Sequence, residues 1–517
     1  MVMPQEKLAD SLEALKQIQD KHIVAIRSND LSRTHRERLI KFGFLQEVMK
    51  GWYIPSNPHQ QNGETTGWYA SFWDFCASYL NERFGDDWCI GPEQSLSLYS
   101  GNRTVPSQLL IRAPKGNNKP TSLIHGTSIF DMRTTVPPVI NIVKIDGLRM
   151  YSLNYALVAA SAFFFTQNPT DMRTALSLVS DASEVLAYLL EGGHSTIAGR
   201  LAGAFRNIGR ENIADSIVKT MDAAGYTVRE NDPFDTQIKL QLPRRETSPY
   251  ASRIRLMWQT MRPAIIDNFP EAAGIPANAD SYLKNVDDIY TTDAYHSLSI
   301  EGYRVSPELI DRVRSGSWNP DNDQKDREHK DALAARGYFQ AFRAVKESVA
   351  AVLRNKNSGQ IADRGHGDWY RELFAPSVAA GIIKPADLAG YRNNRVFIRN
   401  SMHVPLSPNA VRDAMPIFFE MLESEENPAV RVVLGHFIFV YIHPYMDGNG
   451  RMGRFMMNLM LASGGYPWTV IPVNRRTDYM TALEDASVKQ DIIPFTRFIG
   501  ELVASSLKGN AVAKLPE

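Results

Sequence analysis

Residues 442–454 read IHPYMDGNGRMGR, and this stretch constrains the fold more than any other feature of the chain. Upstream lies AVRVVLGHFIFVY and downstream FMMNLMLASGGY, both apolar at helical spacing. The pattern predicts two buried helices joined by a polar, glycine-rich elbow. Burying such an elbow is costly unless a ligand satisfies its polar groups.

Each residue of the elbow has a physical use. Gly448 and Gly450 permit backbone conformations that a side chain forbids and leave N–H groups facing outward. A helix beginning near Arg451 aims its N-terminal amides at that loop, a ready anion site. Asn449 adds an amide donor, and Arg451 and Arg454, three apart, share a helix face where they can hold phosphate oxygens. Asp447 is the lone carboxylate among these donors, as expected of a Mg²⁺ site that also uses substrate oxygens. His443 has a side chain suited to accepting a proton near neutrality. Tyr445 is expected in the core, and His436 reads as a structural histidine. No Gly-Lys-Ser/Thr follows the glycines, so this is not a P-loop. No second histidine lies at ligand spacing from His443 and Asp447, which weakens a metal-hydrolase reading.

The rest of the chain sets bounds. At 517 residues it has room for about three domains. Lys plus Arg and Asp plus Glu both number 57, so no global field points to nucleic acid or membrane. Cys76 and Cys89, in apolar surroundings, are expected as buried free thiols. The charged, amphipathic N-terminus is unlike a signal peptide, and the longest apolar runs are too short to cross a bilayer. A soluble, cytoplasmic protein is expected, with no membrane partner.

Residues 1–58 suggest three helices and then a hairpin, FLQEV with GWYI, the outline of a winged helix. Asp30 or Ser32 can cap the helix RTHRERLIKFG, which ends at Gly43. Arg33, Arg36, Arg38 and Lys41 make its face basic, fitting either duplex DNA or a solvated interaction domain. Residues 59–240 read as a mixed α+β domain: one helix, short strands (LLIRAP, SLIHG, SIFDMR, VINIVKIDGLRMYS), then helices. These two segments together resemble AbiEi-type antitoxins, which implies a DNA-binding or regulatory half. NDPFDTQIKLQLPRRETSPYA reads as a linker. Residues 250–517 are predicted all-helical except for the extended NRVFIRNSMHVPLSP.

The elbow resembles the Fic signature, H-P-F-x-D/E-G-N-G-R-x-x-R, with Tyr445 in place of Phe, and the likeness extends over roughly residues 280–505. The resemblance implies a mainly α chain ending in a Fic fold with a β-hairpin flap. It further implies transfer of AMP from Mg·ATP to a Ser, Thr or Tyr hydroxyl of a target protein. His443 would be the base and Asp447 would hold Mg²⁺. Gly448, Asn449 and Gly450 would bind the α-phosphate, Arg451 the β- and Arg454 the γ-phosphate. Residues 395–408 resemble the target-docking flap, with Val396, Phe397, Ile398 and His403 in it. Tyr479 would contribute to the adenosine pocket; as an ordinary helix position it would be half-buried, and both stay open. HSLSIEGYRVS resembles the inhibitory motif S/T-x-x-x-E-G/N in a helix around 290–302, with Ser297, Glu301 and Gly302 in place. Glu301 would then pair with Arg454 and exclude the γ-phosphate. The alternatives are a DNA-binding regulator whose Fic half senses nucleotide, removal of AMP from a target, or transfer of another nucleotide monophosphate.

Overall fold

The computed structural model describes residues 4–21, 23–58, 64–235, 248–317, 330–510 and 513–516. It divides into two compact units, residues 1–249 with 397–404, and residues 250–396 with 405–517. Most of the expected linker, 236–247, lies outside the described residues.

The first unit opens with helices α1 (Pro4–Gln19) and α2 (Arg33–Lys41) and a three-stranded antiparallel sheet, order β1-β3-β2. Ser32 caps α2, its hydroxyl accepting from the His35 N–H at 3.2 Å. The hairpin forms as expected, β2 (Leu45–Met49) on β3 (Trp52–Pro55). The third expected helix does not form among the described residues. Ile26 and Arg27 are instead a strand, β1, paired with Tyr53 and Trp52. The β-branched run Ile23, Val24, Ile26 suits an extended backbone better than a helix.

Helix α3 (Thr66–Phe84) buries Trp68, Phe72 and Phe75 against a sheet of β4 (Cys89–Ile90), β5 (Gln108–Ala113), β6 (Pro120–Ser122) and β7 (Ser128–Arg133), order β4-β5-β7-β6, in which β5 and β7 run parallel. Helix α4 (Pro92–Tyr99) was not expected from the sequence; Pro92 at its first turn pre-sets the backbone. Strands β8 (Ile142–Ile145) and β9 (Leu148–Tyr151) form a ribbon, and helices α5–α10 run from Leu153 to Ala223. Cys76 and Cys89 are buried free thiols, as anticipated.

The second unit is helical: α11 (Pro249–Asn268), α12 (Ala279–Ile300), α13 (Pro307–Arg314), α14 (Lys330–Leu353), α15 (Ser358–Ala379), α16 (Pro408–Ser424), α17 (Pro428–Ile442), α18 (Asn449–Gly464), α19 (Arg476–Glu484) and α20 (Ile493–Leu507). At its centre, α17 buries nearly every side chain from Ala429 to Ile442. Asn427 caps it by accepting from the Ala429 and Val430 N–H groups, and Pro428 occupies its first position. Packed antiparallel against it, α18 is buried through Met452, Phe455, Met456, Leu459 and Met460. Two apolar helices of this kind fix the loop between them, residues 443–448, as rigidly as the core itself. Among the described residues no helix is long and apolar enough to cross a membrane.

The expected flap hairpin lacks a strand ladder among its residues; 395–406 carry no regular secondary structure apart from one turn, in which Ser401 N–H donates to Ile398 O at 3.2 Å. Phe397, Ile398 and His403 fall in the stretch 397–404 that groups with the first unit, and Val396 in the second. The Met402 carbonyl accepts from the Val105 N–H at 3.0 Å.

Candidate functional site

The site begins where α17 ends. His443 caps that helix in a left-handed conformation, φ 56° and ψ 60°. Such a backbone costs a non-glycine residue about 1–3 kcal/mol and persists where its surroundings over-determine it. Here the His443 N–H donates to Phe439 O at 3.0 Å and its carbonyl accepts from Arg392 Nε at 2.7 Å. The ring is fixed as well. Its Nδ1 lies 3.0 Å from the Val440 carbonyl, which can only accept, so Nδ1 carries the proton and Nε2 keeps the lone pair. Burial pushes the His443 pKa down to about 4, against the Val440 contact. That shift favours the neutral, proton-accepting imidazole.

The loop then turns into α18. Gly448 has φ 78°, and a Cβ there would lie 2.8 Å from the Phe374 ring, so both conformation and space require glycine. Asn449 is buried, and its amide clamps Tyr445: Oδ1 accepts from the Tyr445 N–H at 2.9 Å and Nδ2 donates to the Tyr445 carbonyl at 2.9 Å. The amide expected as a donor to a ligand here shapes the loop from within. Tyr445 is in the core, stacked on Tyr370. Asp447 is exposed, with Oδ1 accepting from the Gly448 N–H at 2.5 Å and lying 3.6 Å from Arg451.

Both arginines are almost wholly buried, Arg451 at 1% and Arg454 at 4% exposure. Arg451 lies between the Tyr303 and Phe374 rings, 5.2 and 5.1 Å from their centroids. Arg454 Nε donates to Ser297 Oγ at 2.8 Å, while Nη2 donates to Ser297 O at 3.0 Å and to Glu301 Oε1 at 2.7 Å. Arg451 Nε and Arg454 Nη1 are buried with no hydrogen-bond partner. Unfilled buried donors are costly, and at a candidate ligand site they mark where acceptor atoms belong.

Helix α12 supplies the acid. Asp293, Ser297 and Glu301 are spaced four apart and share one face. Gly302, φ 89°, ends the helix and turns the chain away immediately after Glu301. The Glu301 side chain is 28% exposed. Burial works against its charge, but Arg454, then Arg451, outweigh it and hold the carboxyl below its ordinary pKa. Its position is tight against the loop: a Cβ on Gly450 would come within 2.4 Å of Glu301 Oε1. A cavity of about 340 Å³ opens beside it, lined by Glu301, Tyr303, Arg304, Lys330, Asp331 and Asp447 among others.

Tyr479 is 2% exposed, so half-burial does not describe it; it packs against Phe495 and Phe498, and its hydroxyl lies 2.7 Å from His436 Nε2. Arg454 and Glu301 lie close enough for their charges to act on that hydroxyl, which places Tyr479 behind the Arg454 side of the site. His436 is the structural histidine anticipated, wholly buried, its pKa pushed down to about 3 by burial. Of the basic residues in α2, Arg33 pairs with Glu37 at 2.7 Å, Arg36 donates to Ser28 O at 2.5 Å, and Arg38 donates to Lys7 O at 2.6 Å and Ser11 Oγ at 2.8 Å. Lys41 lies 6.0 Å over the Phe42 ring. Arg36 and Arg38 are thus engaged with their own domain, while Arg33 and Lys41 lie exposed.

Two contributors were not singled out from the sequence. Asp293, one turn below Ser297, accepts from the Tyr338 hydroxyl at 2.7 Å, and burial raises its pKa to about 6. Arg392, 2% exposed, reaches the loop that carries His443. Neither lies in a recognisable motif.

Comparison with known proteins meets this geometry at the same residues. Residues 368–461 match the Fic/DOC family. The Fic match thus takes in α17, the loop and the first thirteen residues of α18. The chain is 29% identical to the protein adenylyltransferase Fic of Drosophila virilis over 247 residues, 47% of each. It is 36% identical to that of Drosophila ananassae over 224 residues, 43% of this chain and 41% of the relative. It therefore spans under half the length of these curated relatives. Fic-1 from C. elegans superposes with a TM-score of 0.37 and 19% identity, covering 68% of this chain and 97% of that one.

Proposed function

We propose that the protein is an adenylyltransferase that moves AMP from Mg·ATP to a Ser, Thr or Tyr hydroxyl of a target protein, and that Glu301 holds it in check. The carrying observation is Arg454, a buried guanidinium within the Fic match, with two of its nitrogens bonded to Ser297 and Glu301 and the third unpartnered.

In this proposal the triphosphate occupies the start of α18, its α-phosphate on the backbone amides of residues 448–450 and its outer phosphates on Arg451 and Arg454. The target oxygen attacks the α-phosphorus, the bond to the β-phosphate breaks and pyrophosphate leaves. His443 Nε2 accepts the hydroxyl proton, being neutral and held in the correct tautomer. Asp447 suits Mg²⁺: no group of three or more potential ligand side chains exists among the described residues, so the ion would draw on one exposed carboxylate and phosphate oxygens. Mg²⁺ would neutralise charge on the phosphates. Ser297 and Glu301 restrain this chemistry by occupying Arg454 and setting a carboxylate where phosphate oxygens must come.

Replacing Glu301 with Gly tests both parts. A pair whose acid is partly exposed is worth about 2 kcal/mol, between the values for surface and buried pairs, so transfer from labelled ATP should rise roughly 30-fold. Transfer equal to wild type across several substrates, the protein itself included, would make Glu301 an ordinary helix end.

A further inference from the structure

We infer that Arg392 is a positioning residue that ties the catalytic histidine to both ends of the 395–405 segment. Its guanidinium donates three ways: from Nε to His443 O at 2.7 Å, from Nη1 to Asn394 O at 3.0 Å, and from Nη2 to Leu406 O. Its own N–H donates to Pro444 O at 3.0 Å. One side chain thus joins the residue after which α17 stops, the position just before residue 395 and the position just after residue 405. The role, which rests on the adenylyltransferase reading above, is to hold the two flanks of that segment, Asn394 and Leu406, to the loop that carries the base.

Two features separate this from ordinary packing. The first is the acceptor set. All three partners are neutral carbonyls, and at 2% exposure Arg392 forms no ion pair among the described residues. A buried guanidinium without a carboxylate is expensive, and burial accordingly pushes its pKa down to about 10. Burying a cation for structure alone is inefficient where an apolar side chain could fill the volume. The second feature is the His443 backbone, left-handed at φ 56°, a conformation a non-glycine keeps only when held. Arg392 holds it at the carbonyl, while Phe439 holds it at the N–H. The charge also acts on the ring. Among the groups facing His443, Arg392 disfavours the imidazolium, and Glu301 and Asp447 favour it. Arg412 is the natural control, because it bonds Pro408 O, Asn393 and, at 3.4 Å, the Arg392 backbone carbonyl without reaching His443 or the Arg392 guanidinium's acceptors.

The test uses full-length protein with Arg392→Gln, Arg392→Lys and Arg412→Gln. Two readouts need no turnover: the titration of the His443 ring by NMR, and hydrogen exchange over residues 392–407 and 440–447. Arg392→Gln should raise the His443 midpoint and lose protection in both segments together. Arg392→Lys should leave the midpoint near the parent value, since the charge remains, yet still lose protection in both segments, since the three-way fork is gone. Arg412→Gln should do neither at 440–447. In the Glu301→Gly background, Arg392→Gln should lower kcat about 100-fold and leave Mg·ATP affinity within threefold. An unmoved His443 midpoint in Arg392→Gln, or loss of protection confined to one segment, overturns the assignment whether or not the protein transfers AMP. Absence of transfer by Glu301→Gly alone, with the NMR and exchange results as expected, would count against the adenylyltransferase proposal and leave the coupling of the two segments standing. Should Arg392→Gln fail to fold, Arg392→Lys decides: intact protection at 440–447 overturns the assignment.

Discussion

The loop at 443–454 and the basic helix at 33–41 both concentrate arginine, and they hold it in opposite ways. At the loop, Arg451 and Arg454 are almost fully buried, and each keeps a nitrogen with no partner. In α2, Arg33 is exposed at 83% of its side chain, and Arg33, Arg36 and Arg38 all end on acceptors of their own domain. Clustered positive charge in a sequence therefore says little by itself. The difference lies in unfilled donor capacity away from water, because such donors gain full electrostatic strength when a phosphate arrives. Exposed arginines already bonded locally must give up those bonds and remain screened by salt.

The largest effect that would break this contrast belongs to the base. In the Glu301→Gly background, His443→Ala should lower transfer by about 10²–10⁴-fold while Mg·ATP still binds, since the phosphate donors are untouched. Transfer within a few-fold of the parent would remove His443 from the chemistry. Next in size is ligand stabilisation. If the buried donors await phosphate, Mg·ATP at 100 times its Kd should stabilise the Glu301→Gly variant by about 2.7 kcal/mol. Arg454→Gln in that background should lose most of this, and Arg36→Gln none. Equal losses from both would erase the distinction between the two regions.

A third and smaller effect lies in pH. The His443 pKa is lowered, so the neutral, proton-accepting form persists above about pH 4 and is lost only as pH falls through that value. Transfer by Glu301→Gly should be nearly flat from pH 8 to 5.5, where a histidine of ordinary pKa near 6.5 would already have lost about tenfold. A fall beginning near pH 6.5 would mean that bound substrates restore an ordinary titration.

These contrasts also explain what the sequence could tell. The residues from His443 to Arg454 were legible because glycines, one acid and two arginines between apolar helices have few uses together. Ser297 and Glu301 were picked out by resemblance to an inhibitory motif, and their contacts with Arg454 are what the structure adds. Arg392 was not, because its meaning comes from carbonyls 14 and 51 residues away, which carry no side-chain signature. The burial of Tyr479 was not legible because a helical aromatic beside a site looks the same whether it lines the site or backs it. The backbone clamp made by Asn449 was hidden for a related reason: an amide serves the backbone or a ligand equally well. In the first unit, the run around Ile26 carried both helical and extended patterns, and its pairing with Tyr53 decided between them.

The smallest effect separates arginines within α2 itself. Arg38 donates to Lys7 O and to Ser11 Oγ, and Ser11 is wholly buried between α1 and α2, 3.0 Å from His35 Nδ1. Removing that guanidinium takes one donor each from Ser11 Oγ and Lys7 O, which keep the bond from Ser11 Oγ to Lys7 O at 3.0 Å, so the loss is that of an ordinary hydrogen bond, about 1 kcal/mol. Arg33 pairs only with Glu37 across the outer face, where water replaces either partner freely. Arg38→Gln should therefore speed amide exchange in residues 4–21 about fivefold, and Arg33→Gln should leave it unchanged. If duplex DNA were the ligand of this helix, the order would reverse in a binding titration: the exposed Arg33 would matter most, and affinity would fall steeply with salt. Equal exchange in the two variants would show that Arg38 does not join the helices, and the basic face would then be open to a partner after all.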